Sequence, residues 1–128
     1  MGDVYSHRNI GRVVIERHMT LDVTEDLVRA YSRRGNFHSD AATATALGMP
    51  GLVAQGVQIA GPAYHLLLDE WGEAFLAHGE IELSFVGMVV AGDSIDAGVV
   101  ILPERMAAIE VTNTTAGKTA VVGTASYV

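Results

Sequence analysis

Between residues 55 and 71 the apolar positions crowd instead of alternating. Val57, Ile59, Ala60, Ala63, Tyr64, Leu66, Leu67, Leu68 and Trp71 fall on most faces of a helix, so this helix is expected to be buried on most sides. Gly72 is its expected stop. Pro62 lies inside it and lacks the amide that would bond the Gln58 carbonyl, which predicts a kink or a later true start. Beyond the helix the pattern changes to β-rich runs at 81–90, 94–102, 106–114 and 118–128. They are divided by Gly92-Asp93, Pro103-Glu104 and Ala116-Gly117. Turns this short join antiparallel neighbours.

Upstream, residues 1–12 read as an arm and 13–20 as a strand. Asp22 with Glu25 three residues later forms a capping-box signal for a helix running to about Arg33. Arg29, Arg33 and Arg34 suit the negative end of its dipole. Residues 35–38 read as a loop, and the Ala-rich 39–47 as a short helix stopped by Gly48 and Pro50. A helix apolar nearly all round, followed by strands, is best satisfied by a curled sheet rolled about it. The expected class is therefore α+β, with the hot-dog arrangement.

Composition narrows the picture. A chain of 128 residues, 49% hydrophobic, suits a single domain over 1–128. At this size folding hides only about two thirds of the unfolded surface. A site needing walls on every side then borrows one from a partner, so an oligomer is expected. Lys and Arg number 8 against 15 Asp and Glu, a net charge of −7, which argues against nucleic acid. An anionic ligand such as a phosphate-bearing coenzyme would need a local basic patch, and Arg33-Arg34 is the adjacent basic pair. Without cysteine there is neither disulfide nor thiolate chemistry. The amino terminus lacks the apolar core of a signal peptide. No apolar run reaches the roughly 18 residues of a membrane span. Cytoplasm is the expected compartment.

Two stretches carry a resemblance. One is His38-Ser39-Asp40 leading through Ala42 and Gly48 to Ala54-Gln55-Gly56; the other runs from Phe85 through Met88 to Gly92-Asp93-Ser94-Ile95. In spacing and order they resemble the MaoC-like hydratase/dehydratase family. Its pattern has a His-x-Asp loop, an Ala-His-Gly step opening the central helix, and Phe-x-x-Pro-Val-x-x-Gly-Asp before the sheet. Met88 stands at the usual proline and Gln55 at the usual histidine.

The resemblance covers the chain from about Val13 onward. It implies a hot-dog fold, a homodimer or higher assembly, and reversible hydration of a 2-enoyl thioester of coenzyme A or a related carrier. No further cofactor and no metal are implied. Such chemistry needs a base to activate water, a proton source for the α-carbon, and polarisation of the thioester carbonyl. His38 occupies the position of the catalytic histidine, and an imidazole is suited to proton transfer near neutrality. Gly56, at a helix amino terminus, is the candidate for the oxyanion role. Gln55, Arg33 and Arg34 are candidates for binding substrate.

The family's partner aspartate lies five residues before the histidine, with an asparagine two residues after that aspartate. Here those places hold Arg33 and Gly35. Asn36 is the nearest polar substitute. Asp40 is a nearby carboxylate equally suited to capping the next helix. Two further readings stay open: an acyl-binding subunit that completes a complex with a homologue, and a thioesterase on the same fold. His65 and Asp69, four apart on one helix face, read as a local polar pair more readily than as a metal site. Tyr64 and Trp71 read as core, with acyl-chain contact as the alternative. His7, His18 and His78 read as structural. Gly92-Asp93 reads as a turn in which the Asp side chain satisfies backbone amides.

Overall fold

The computed structural model describes residues 15–30, 42, 46 and 51–128. Its elements are β1 (Ile15–Asp22), α1 (Glu25–Ala30), α2 (Gly56–Trp71), α3 (Glu73–His78), β2 (Gly79–Phe85), β3 (Ser94–Leu102), β4 (Met106–Asn113) and β5 (Lys118–Tyr127). One antiparallel sheet has the order β1-β3-β4-β5-β2. Helix α2 packs on its β1, β3 and β4 portion.

Residues alternate most cleanly on β3 and β4. Ile95, Ala97, Val99, Ala107, Ile109 and Val111 are buried beneath α2, while the intervening residues face outward. From the helix side, Ile59, Ala63, Leu66 and Leu67 complete this core. Burying each large aliphatic side chain contributes about 1.5–3 kcal/mol. Several together offset the roughly 3 kcal/mol that a proline costs in a helix interior. Accordingly α2 starts at Gly56 and runs through the buried Pro62, and the late start expected there does not occur. Gly72 ends it at φ 58°, a backbone angle glycine adopts freely, with its amide on the Leu68 carbonyl at 2.8 Å.

Several boundaries differ from expectation for physical reasons. Thr24, not Asp22, caps α1: its Oγ1 accepts from the Leu27 amide at 3.1 Å. Asp22 stays in β1, where its Oδ1 accepts from the Ser94 hydroxyl at 2.8 Å. The short helix α3 was not foreseen. The apolar run 81–90 is strand only as far as Phe85; Val86 and Gly87 then donate to the Ala120 carbonyl at 2.8 and 3.1 Å and turn the chain away. As a result β2 pairs with β5 and not with β3, and the Gly92-Asp93 turn does not join neighbours. The expected loop at 35–38 and most of the helix at 39–47 lie outside the described residues; Ala42 and Ala46 are helical.

Polar pairs secure the outer surfaces. Arg17 forks between Asp69 Oδ2 (2.9 Å) and Glu70 Oε1 (2.8 Å), tying β1 to the end of α2. This corrects the reading of Asp69 as the partner of His65, whose side chain is exposed. His18 is likewise better supplied with carboxylates than the sequence suggests. Its Nε2 lies 3.1 Å from Glu16 and its Nδ1 2.9 Å from Asp96, which arrives from β3. The Glu16 hydrogen bond outweighs partial desolvation of the ring, and with the Asp96 bond it raises the His18 pKa above its ordinary value.

Candidate functional site

The amino-terminal end of α2 is built from three segments. Residues 52–54 run beside 89–91, bridged at Val53 and Val90, with Ala54 donating to the Val89 carbonyl and Ala91 to the Leu52 carbonyl, each at 2.8 Å. Gln55 then leads into the helix from an extended conformation, and its side chain makes no cap bond. The Gln58 and Ile59 amides both donate to the Gln55 carbonyl, at 3.0 and 3.2 Å. Among the described residues, the Gly56 and Val57 amides have no such carbonyl partner. They are the open donors at the positive end of a 16-residue helix dipole.

These donors border an open groove of about 770 Å³ lined by Val53–Ile59, Gln58 excepted, and by Phe85–Val89. Among the described residues, none of those lining it carries a charge. Val57, expected in the core, is 69% exposed here, while polar Gln58 turns inward and is only 6% exposed. Gln58 Nε2 donates to the Leu27 carbonyl of α1, and its Oε1 is buried without a hydrogen-bond partner among the described residues. Phe85, Val86 and Met88 are large, apolar and exposed along one wall.

That wall is held by a polar hub. Asp93 Oδ2 accepts from the Val90 amide at 3.0 Å and from Asn113 Nδ2 at 2.8 Å. Asn113 Nδ2 also reaches the Met88 carbonyl at 3.3 Å, while its Oδ1 accepts from the Ala116 amide at 3.0 Å. The Gly92 amide donates to Val23 and the Val23 amide to Asp93, at 2.7 and 2.8 Å. The Asp93 carboxylate therefore satisfies backbone, as its turn signal predicts, and it takes no place in the groove.

Of the residues singled out by sequence, Gln55 and Gly56 lie together on the groove. His38, Asp40, Asn36, Arg33 and Arg34 lie outside the described residues, as does His7. Tyr64 and Trp71 pack against the core, and Trp71 stacks near Phe75 and Tyr127 with centroids 5.7 and 4.9 Å apart. Neither is among the described residues that line the groove. Sequence reasoning missed Val57, Val86 and Met88 as lining residues. A clue was available in the run 85–90, which is apolar without the alternation a half-exposed strand would show.

Comparison with known proteins agrees with this architecture. The R-hydratase PhaJ1 of Pseudomonas aeruginosa, in its unliganded form, superposes with a TM-score of 0.72 at 22% identity, over 89% of this chain and 79% of that one. The (R)-hydratase from A. caviae involved in PHA biosynthesis gives 0.71 at 19% identity, over 89% and 93%. The ChsH1-ChsH2 complex from Mycobacterium tuberculosis gives 0.67 at 16% identity, over 91% and 96%. These likenesses establish the hot-dog fold. No curated protein sequence matches the chain. The MaoC like domain profile matches residues 9–124, and the chain belongs to that family.

Proposed function

We propose that this protein hydrates 2-enoyl thioesters, or dehydrates the corresponding 3-hydroxyacyl thioesters, with coenzyme A or a related carrier as the thiol. The observation that carries this reading is the end of α2 at Gly56, facing a groove whose described lining residues are uncharged, in a chain of MaoC-like family. A thioester oxygen placed on the Gly56 amide would meet an N–H that has no carbonyl partner among the described residues, and the positive helix end, just where enolate charge develops. Water adds its hydroxyl to the β-carbon, and a proton is delivered to the α-carbon. His38 is the proposed group for both transfers, with Asn36 or Asp40 as its polar company. Arg33 and Arg34 are proposed to meet the phosphates of the carrier.

An assembly of two or more chains belongs to the proposal. Strand β2 is an edge of the sheet, and its last residue Phe85 and the following Val86 are exposed. Purified protein mixed with a panel of enoyl-coenzyme A esters should bleach the enoyl absorbance, and His38→Ala should abolish this while leaving the melting curve intact. Silence across short, long and branched esters from a folded, oligomeric sample would refute the reading.

A second reading is favoured by Arg33 and Gly35 standing where the family places its acid and amide. In it the chain binds acyl thioesters and turns them over only with a homologous subunit. Thioester would then raise the melting temperature without turnover. Full activity of the chain alone would eliminate it.

A further inference from the structure

The groove is not equally open on all sides of Gly56. The Phe85 ring lies against the glycine backbone: a methyl carbon added to Gly56 would stand 2.7 Å from Cε1, 2.9 Å from Cδ1 and 3.0 Å from Cζ of that ring. The ring therefore occupies one flank of the first helical turn at contact distance. It does so although Phe85 is 52% exposed and belongs to the last residue of an edge strand. An exposed aromatic ring held over a helix end is poorly explained by core packing.

We infer that Phe85 selects the shape of the acyl group next to the thioester, favouring acyl chains unbranched at the α-carbon. The inference rests on the thioester reading above. With the carbonyl oxygen about 2.9 Å from the Gly56 nitrogen, the α-carbon two bonds further on lies about 4–5 Å from that nitrogen, in the space the ring borders. A hydrogen on the α-carbon fits beside the ring; a methyl group there meets the same aromatic carbons that a side chain on Gly56 would meet. Val57, Val86 and Met88 line the rest of the groove with exposed apolar surface, so the remote part of the chain is sorted much less sharply. Small changes of apolar shape are worth about 1–3 kcal/mol, which corresponds to 10–200-fold in selection.

Saturated thioesters test this by binding alone, without any need for turnover. Butanoyl- and 2-methylpropanoyl-coenzyme A differ in branching at the α-carbon and carry the same number of acyl carbons. Calorimetric titration should show the wild type favouring the unbranched ester at least tenfold. Phe85→Ala should bring the ratio to within about threefold, chiefly by tightening the branched ester, and Phe85→Leu should fall between. A loss of bulk at a half-exposed strand end leaves the fold in place, and matched circular dichroism checks this. Binding of both esters with the same ratio in wild type and Phe85→Ala overturns the inference while leaving the thioester reading standing. Failure of the wild type to bind either ester overturns both.

Discussion

Replacing Asn113 by Ala removes the centre of the hub behind the groove wall. Asn113 is 1% exposed, so water has little access to the groups left behind. Its amide bond to the Asp93 carboxylate belongs to the charge-assisted class, worth about 1.5–3 kcal/mol, and the bonds to Met88 and Ala116 add about 1 kcal/mol each or less. Allowing for the long Met88 contact, a loss of about 3–4 kcal/mol follows. At this chain length each kcal/mol lowers the midpoint by about 4 °C, so the expected drop is about 12–16 °C. Thermal unfolding followed by circular dichroism measures it. A second measurement tests the cause: in the double variant with Asp93→Ala the two losses should fall short of additivity by about 1.5 kcal/mol, because the shared bond is counted twice. A drop under about 4 °C, or strict additivity, would refute the hub.

Gly56→Ala should cut turnover or thioester affinity by at least tenfold while shifting the melting temperature by less than about 5 °C, since the cost of displacing the Phe85 ring is largely offset by the roughly 1 kcal/mol by which alanine favours the helix over glycine; unfolding and activity are measured side by side. Gln58→Leu should leave the melting temperature unchanged or higher, because removing a buried acceptor without a partner offsets the lost bond to Leu27, and a fall beyond about 8 °C would contradict this. His18 contributes with a definite sign. Its folded-state pKa is raised, so its stabilisation is fully present below the ordinary value of about 6.5 and is lost as pH climbs through the raised one. The pair is half-exposed, so the effect stays under about 1 kcal/mol. Comparing melting temperatures at pH 6 and pH 9, wild type should lose slightly more than His18→Gln; equal losses would dismiss the contribution.

The parts legible in sequence were those fixed by neighbours in the chain. The β-rich runs 94–102 and 106–114, bounded by turn residues, marked β3 and β4 within a residue, and Gly72 marked the end of α2 through its own backbone angle. The parts that depended on distant partners were not legible. Whether 81–90 continued as strand was decided by Ala120, and the pairing of β2 by β5. Val57 and Gln58 exchanged their expected environments because α1 supplies a carbonyl at Leu27, which no local pattern announces. At the site, Gln55 and Gly56 could be located from their motif, whereas Val86 and Met88 became lining residues only once the chain turned at Phe85.

The placement of Trp71 has a practical consequence for optical work. It is the only tryptophan in the sequence, and it sits 15 residues along α2 from Gly56, about 22 Å at the helical rise. Its neighbours are Phe75 and Tyr127, from α3 and the closing strand. Intrinsic fluorescence should therefore track the undocking of the final strand during denaturation and stay nearly silent when a ligand fills the groove. A probe introduced at Val57 or Val86 would have the opposite selectivity, and the pair would distinguish occupancy from unfolding in one cuvette.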